Sequence, residues 1–182
     1  AKMIRADDLE QFFAMHKSVV QIVVKQVRGS APRDSGTKMY VATTAYLGTI
    51  GGGQLEYRAI RAASSLLKSR EASKNLTMPL GPAIGHCCGG HVSLELHTLD
   101  RSTSAALVQD TLHHEHTLPN VYIFGAGHVG RALAMALQHL PLAVCMIDSR
   151  QVEIDQAISG IPTKLTPLPE ADIRHAPPGS AY

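Results

Sequence analysis

The feature that most constrains the fold is a glycine pattern, Gly125-Ala126-Gly127-His128-Val129-Gly130, between two apolar runs. The run VYIF precedes it, an amphipathic segment follows it, and the next run, LAVCMID, ends in Asp148. A strand, a glycine turn, a helix and a second strand with an acid about 20 residues on make up the dinucleotide-binding β-α-β unit. The pattern therefore predicts a Rossmann-like region with a parallel sheet, in a protein of the α/β class.

Each residue of this pattern has a predicted role in holding a nucleotide. Gly125 permits the tight turn, Gly127 lets a pyrophosphate approach the backbone, and Gly130 lets the helix pack on the strand. Asp148 accepts hydrogen bonds from a ribose and disfavours a 2′-phosphate, so NAD or another nucleotide with a free ribose is the expected ligand. The alternative is that the glycines serve helix packing alone, because a fold does not fix a function.

Residues 1–117 show the pattern of a separate, small α/β domain. The predicted helices cover residues 7–17, the segment after Gly53 and residues 102–116, and the predicted strands are VVQIVVKQV, MYVA, YLGTI, NLTMPL and HVSLELHTL. Residues 118–182 are expected to form the Rossmann-like domain. We expect that domain to be incomplete and the chain to be part of a longer protein, because the tail ADIRHAPPGSAY stops where a third strand should start.

Composition excludes several classes of partner. The chain is 45% apolar with a net charge of +2, and its basic residues are scattered, so no nucleic acid is expected to bind. No apolar run reaches the roughly 18 residues of a membrane span, and the acidic N-terminal segment is unlike a signal peptide. Three cysteines do not make a secreted disulfide framework. A cytoplasmic protein that does not contact membranes is expected.

The loop GHCCGGH places Cys87 and Cys88 side by side between glycines. Their α-carbons are about 3.8 Å apart across a trans peptide, below the usual disulfide range of about 4.4–6.8 Å, so a bridge would be strained. Two adjacent thiols suit a soft metal or sulfur transfer better. Zinc held with His86 and His91 is an alternative, although adjacent residues rarely point at one ion.

Two further segments carry candidate ligand contacts. Gly51, Gly52 and Gly53 precede a helix, and their bare backbone can cradle a phosphate or a polar ring edge. Glu56 follows in the first turn, where it can accept hydrogen bonds from the NH groups of a heterocycle. Arg33 and Lys38, in a loop held by proline and glycine, can clamp an anion. The alternatives are an ordinary helix start and two solvated charges.

Taken together, these segments resemble the XdhC/CoxI family, the accessory proteins of xanthine dehydrogenase and related molybdenum hydroxylases. The matching residues are GSAPRDSGTKM (29–39), GTIGGGQLE (48–56), LGPAIGHCCGGHV (80–92) and IFGAGHVGRALA (123–134). The resemblance implies an N-terminal domain that binds the molybdenum cofactor, a pyranopterin with a phosphate and a dithiolene. In it, Cys87 or Cys88 would contact molybdenum or relay sulfur.

The resemblance also implies a function and its partners. Such a protein binds the cofactor, supports its sulfuration by a cysteine desulfurase, and delivers it to a molybdenum hydroxylase such as xanthine dehydrogenase. It forms a homodimer and does not turn over a metabolite. Two rival functions stay open: an NAD-dependent oxidoreductase that uses the glycine pattern and Asp148, and a zinc-binding interaction module. The Rossmann-like half could also recognise a nucleotide appended to the cofactor.

Overall fold

The computed structural model of the chain describes residues 3–80 and 90–182. These residues form two compact units. Unit 1 contains Ala6–Gln109, and unit 2 contains Asp110–Tyr182 with the N-terminal residues up to Arg5. Unit 1 is built on an antiparallel sheet and unit 2 on a parallel one, which confirms the predicted α/β class with a Rossmann-like part. The domain boundary near residue 117 stays a prediction.

Unit 1 is a five-stranded antiparallel sheet with helices. Its elements are α1 (Ala6–Met15), β1 (Val19–Arg28), β2 (Lys38–Ala42), β3 (Tyr46–Gly48), α2 (Gly53–Ser69), β4 (Ser73–Pro79), β5 (His91–Leu99) and the first part of α3 (Arg101–Glu115). The strand order is β3-β2-β1-β5-β4. The long central strands β1 and β5 are rich in β-branched and alternating apolar residues, which is why the sequence predicts them well.

The core of unit 1 lies between the sheet and α2. Apolar residues of α2 recur at helical spacing and are buried, at Leu55, Ala59, Ala63 and Leu66. They belong to the same buried cluster as alternate residues of β1, at Val20, Ile22 and Val24. Tyr40, which alternates with the core residues of β2, contacts the ring of Phe13 in α1, with ring centroids 5.6 Å apart. The two faces of the sheet are therefore covered by different helices.

The strand register places three connections at the same end of the sheet, where β1 ends and β5 begins. Arg28 at the end of β1 pairs with His91 at the start of β5, and His91 also pairs with Pro79 at the end of β4. On the other side of β1, Met39 in β2 pairs with Gly48 in β3. The connections 29–37, 49–52 and 80–90 therefore leave the sheet at this same end of the strands.

Unit 2 is a parallel sheet with short helices. Its elements are β6 (Asn120–Phe124), α4 (His128–Leu137), β7 (Ala143–Asp148), α5 (Gln151–Asp155), β8 (Thr163–Leu165) and a 3-10 helix (Pro169–His175). The strand order is β6-β7-β8, and all pairings are parallel. Its core is a small apolar cluster formed by Ile123, Ala126, Ala134, Val144, Met146 and Ile161.

The tail of the chain adds a fourth pairing at the free side of β6. Ala181 forms a parallel bridge with Val121, through Tyr122 N–H donating to the Ala181 carbonyl and Ala181 N–H donating to the Asn120 carbonyl. Residues 119 and 125 bond instead to the β7 side, so Ala181 lies at the opposite edge of β6. The resulting order, β8-β7-β6 and then Ala181, is the 3-2-1-4 order of a dinucleotide-binding half.

This arrangement corrects the expectation that the third strand starts at the tail. The third strand is β8, which precedes the tail, and the tail pairs as the fourth. The sequence gives little signal for β8 because its three residues are all exposed and show no apolar alternation. Among the described residues, no helix is long and apolar enough to cross a bilayer.

Candidate functional site

In unit 1, the connection between β1 and β2 contacts both neighbouring connections. A β-carbon built on Gly51 would lie 2.5 Å from Pro32 Cγ, and one built on Gly90 would lie 2.3 Å from the carbonyl oxygen of Ser30. Both distances are too short for any residue other than glycine. Leu80 N–H donates to the Gly90 carbonyl at 2.6 Å, and this hydrogen bond joins the first and last residues of the third connection. Three of the sequence segments that carry the family resemblance thus meet at this end of the sheet.

The glycine turn before α2 is held by the chain's own carboxylate. Glu56 Oε2 accepts hydrogen bonds from Ile50 N–H at 3.1 Å, from Gly52 N–H at 3.2 Å and from the Thr49 hydroxyl. Gly51 N–H donates to Thr49 Oγ1 at 3.1 Å. The amides of residues 50–52 therefore have internal acceptors, and a ligand's NH group would have to use the other oxygen of Glu56.

Other donors at the same turn stay available to a ligand. Gly53 and Gln54 begin α2, and their N–H groups have no acceptor among residues 3–80 and 90–182. A helix start of this kind presents amides and a partial positive charge to an anion. A β-carbon built on Gly52 would meet no atom of residues 3–80 and 90–182 within 4 Å, so these residues leave the turn open there.

The structure places the two predicted anion-binding cations differently. Arg33 is half-buried, and its Cγ lies 3.7 Å from the position of a β-carbon on Gly51. Lys38 is exposed at the start of β2, where alternation with buried Met39 turns it to the face away from α2. Neither side chain has an ion pair with a residue in the described part of the chain. Arg33 is therefore the cation at the glycine turn.

The predicted sulfur contacts, Cys87 and Cys88, lie outside the described residues, as does His86. His91 is described and is exposed at the start of β5. Within the described ranges, no group of three or more His, Cys, Asp or Glu residues is placed to hold a metal ion. The molybdenum contact and the zinc alternative both stay predictions.

In unit 2, the fingerprint glycines form a tight turn between β6 and α4. Gly125 has a φ of +107°, a conformation that favours glycine. A β-carbon on Gly130 would lie 1.8 Å from the Gly125 carbonyl oxygen, so α4 packs directly on the turn. Gly127 caps α4, and the nearest atoms to a β-carbon there would be Glu153 Oε2 at 3.8 Å and Arg150 Nη2 at 3.9 Å.

Asp148 is 4% exposed, and its carboxylate is fully engaged within the protein. Oδ1 accepts from Arg150 Nε at 3.0 Å and from Arg150 N–H at 2.9 Å. Oδ2 accepts from Arg150 Nη2 at 2.9 Å and from Ala126 N–H at 2.8 Å. The hydrogen bonds from the Arg150 side chain, then those from the two amides, hold the pKa of Asp148 well below its usual range, against the effect of burial.

Sequence reasoning missed three charged residues around this turn: Arg131, Arg150 and Glu153. Arg131 Nη1 donates to the Ala126 carbonyl at 2.7 Å and to Glu153 Oε2 at 2.8 Å. Glu153 also lies 3.6 Å from Arg150 Nη1. The one signal in the sequence was a basic residue two positions after the acid at the end of β7.

The fold and these sites define a class of α/β proteins in which a glycine-lined antiparallel unit precedes a Rossmann-like unit. Residues 13–78 match the family model of the XdhC and CoxI family, and they include two of the segments that carry the resemblance. This match confirms the predicted resemblance over these residues.

Two known proteins are similar to the chain over a larger part of its length. YqeB of Escherichia coli (strain K12) is 28% identical over 124 residues, which are 66% of this chain but 20% of YqeB. The chain therefore spans about a fifth of that relative. A Bacillus halodurans protein, whose crystal structure is described as that of a xanthine dehydrogenase, is 14% identical with a TM-score of 0.81. The matched region covers 98% of this chain and 73% of the Bacillus halodurans chain. This likeness shows the fold alone.

Proposed function

We propose that this protein is an accessory factor that binds the molybdenum cofactor, supports its sulfuration and delivers it to a molybdenum hydroxylase of the xanthine dehydrogenase type. The family match and the description of the Bacillus halodurans structure support this theme. The single observation that carries the proposal is that three connections with family motifs contact one another at one end of the sheet, through Gly51 and Gly90. In the proposal, a cysteine desulfurase and a second copy of the chain are the further partners.

The residues at this end of the sheet fit a pterin that carries a phosphate. Arg33 offers a planar guanidinium fork, the geometry that recognises phosphate oxygens best. The amides of Gly53 and Gln54 add donors beside it, and the open space at Gly52 leaves room for a flat ring. Glu56 holds the turn from inside through one oxygen, so its part in the proposal is first to shape the turn.

In the proposal, the thiols of Cys87 and Cys88 act at the same site. They belong to the segment 81–89, whose flanking residues Leu80 and Gly90 are joined by a hydrogen bond from Leu80 N–H to the Gly90 carbonyl. When bound, the cofactor supplies a molybdenum centre with sulfur ligands and an exchangeable terminal ligand. Thiolates are suitable soft ligands for such a centre, so we propose that one of the two cysteines contacts molybdenum or relays sulfur.

An NAD-dependent oxidoreductase is the second candidate, and the 3-2-1-4 strand order of unit 2 favours it. It ranks lower because the acceptor positions of Asp148 are filled by Arg150 and Ala126. Spectral titration with NADH tests it. A saturable shift in the NADH spectrum that requires Gly127 would support the oxidoreductase.

Co-purification tests the accessory function. The protein is purified from cells that make the cofactor, bound pterin is released and oxidised to its fluorescent form, and molybdenum and zinc are assayed in the same sample. We expect pterin and molybdenum in the wild type. Replacing both Cys87 and Cys88 by alanine should lower molybdenum retention and activation of the partner enzyme.

Arginine variants localise the phosphate. Arg33→Gln should lower pterin retention by about tenfold or more, because a charge-assisted hydrogen bond contributes about 1.5–3 kcal/mol. Arg101→Gln is the matched control, because Arg101 follows β5 at the opposite end of the strands. This substitution should leave retention unchanged. A wild type without pterin, or retention and activation that survive loss of both cysteines, would refute the proposal.

A further inference from the structure

The carboxylate of Asp148 has no acceptor position left for a ribose. A carboxylate offers about four lone-pair positions on its two oxygens. Arg150 fills three of them, through its backbone N–H, Nε and Nη2, and Ala126 N–H fills the fourth. A ribose hydroxyl could bind Asp148 only after Arg150 had moved away. The free-ribose ligand predicted from the sequence therefore conflicts with the geometry.

Arg150 offers donors where Asp148 offers no acceptor. A guanidinium has five N–H donors, and Asp148 takes one from Nε and one from Nη2. The side chain is 61% exposed, so its other N–H groups face solvent apart from a 3.6 Å ion pair between Nη1 and Glu153. Arg150 lies two residues after the end of β7, the second strand of the sheet, at the carboxyl end where the ribose of a dinucleotide lies.

The charges around the turn differ between the two phosphate positions. Glu153 Oε2 and Arg150 Nη2 lie 3.8 and 3.9 Å from the position of a β-carbon on Gly127, where a pyrophosphate would approach, and Arg131 pairs with Glu153 at 2.8 Å. A phosphate at Gly127 therefore meets a carboxylate beside a guanidinium. At the ribose end, Asp148 is paired with Arg150, so its charge does not repel an anion bound to the outer side of Arg150.

We infer that unit 2 recognises a nucleotide through a phosphate monoester on the ribose 2′ oxygen, bound by the guanidinium of Arg150. A planar fork held in place by a buried carboxylate is pre-organised for such a dianion. Asp148 is then a positioning residue that orients Arg150, in place of its predicted role as a ribose acceptor. This inference concerns unit 2 and does not depend on the cofactor site proposed in unit 1.

The test compares two ligands that differ only in the 2′-phosphate: adenosine 2′,5′-bisphosphate and AMP. Isothermal titration should give a Kd at least about tenfold lower for the bisphosphate. The preference should shrink as ionic strength rises, because the contact is electrostatic and partly exposed. Equal affinities, tighter binding of AMP, or no binding of either ligand at millimolar concentration would overturn the inference.

Variants assign the preference to Arg150. Arg150→Gln should abolish it, but this change leaves a buried carboxylate unpaired and can unfold unit 2. The double change Asp148→Asn with Arg150→Gln removes the charge together with its partner, and it should fold and bind both ligands equally. Arg150→Lys should keep a weakened preference, because the charge stays and the fork is lost. A preference that persists in the folded double variant would overturn the inference.

Glu153→Gln separates the two phosphate positions. Removal of this carboxylate, which lies beside Gly127 and 3.6 Å from Arg150 Nη1, should tighten binding of both ligands and leave the bisphosphate the preferred one. Arg174→Gln, at an exposed position of the 3-10 helix, is the control and should change neither Kd. If Glu153→Gln abolished the ratio, the 2′-phosphate would not be read at Arg150, and the inference would fail.

Discussion

Pro32 packs on Gly51 so closely that a β-carbon on Gly51 would lie 2.5 Å from Pro32 Cγ. Gly51 also has a φ of +122°, a backbone conformation that residues with a side chain rarely adopt. The contact joins the connection that carries Arg33 to the turn that begins α2. Glycine is therefore required at this position both by the contact and by the backbone.

Alanine substitution in the turn separates these two requirements. Gly51→Ala should lower the free energy of unfolding of unit 1 more than Gly52→Ala, by about 1–3 kcal/mol, because only the first adds an overlap to the backbone strain. Gly52 has a φ of +75°, but no atom in the described part of the chain lies within 4 Å of a β-carbon there, so it is the matched control. Urea unfolding of each variant measures the difference.

A double-mutant cycle with Pro32→Gly checks the cause. Removal of the ring should recover part of the loss caused by Gly51→Ala and none of the loss caused by Gly52→Ala. Equal losses for the two alanine variants, or no coupling to Pro32, would show that the contact does not determine the requirement for glycine.

Glu56 is predicted to stabilise the turn as an internal acceptor. Glu56→Ala leaves the amides of Ile50 and Gly52 without their acceptor and should cost about 1–3 kcal/mol of unfolding free energy. Glu56→Gln keeps an acceptor oxygen and should cost less. Thermal and urea unfolding measure both, with exposed Glu71→Ala as the control. A loss in Glu56→Ala no larger than in the control would contradict this role.

Much of the fold could be predicted because its main elements have strong local patterns. The strand at Val19, the helix after Gly53 and the strand–turn–helix around Gly125 all follow from apolar periodicity and glycine placement. β8 escaped prediction because three exposed residues carry no periodicity, and only pairing with β7 makes them a strand. Its position is set by tertiary structure.

The candidate sites were predicted less completely, because their side-chain partners are distant in the sequence or were assigned to a ligand. Arg131 and Glu153 are 22 positions apart, and no local pattern relates them. Asp148 has the location expected of a ribose acceptor, but the side chain two positions later competes for the same oxygens. Residue type and spacing locate a site, whereas the occupancy of each acceptor depends on the folded geometry.

Two glycines of the fingerprint should respond oppositely to alanine. Gly130→Ala places a β-carbon 1.8 Å from a backbone carbonyl oxygen that cannot move aside, so unit 2 should lose protection throughout β6 and β7. Gly127→Ala meets its nearest atom at 3.8 Å and should leave that protection intact while it weakens nucleotide binding. Hydrogen exchange by mass spectrometry, with nucleotide titration, measures both effects. Similar exchange in the two variants would contradict the assigned roles.

The Asp148–Arg150 pair should make unit 2 sensitive to acid. Because folding lowers the pKa of Asp148, the stabilisation is fully present above the unfolded value of about 3.9 and is lost as pH falls toward the native value. The stability difference between wild type and Asp148→Asn should therefore be largest near neutral pH and should shrink between about pH 5 and pH 3. Urea unfolding across that range, followed by exchange of the β7 amides, measures it. A constant difference for Asp148→Asn would mean that the carboxylate does not bind Arg150 in its charged form.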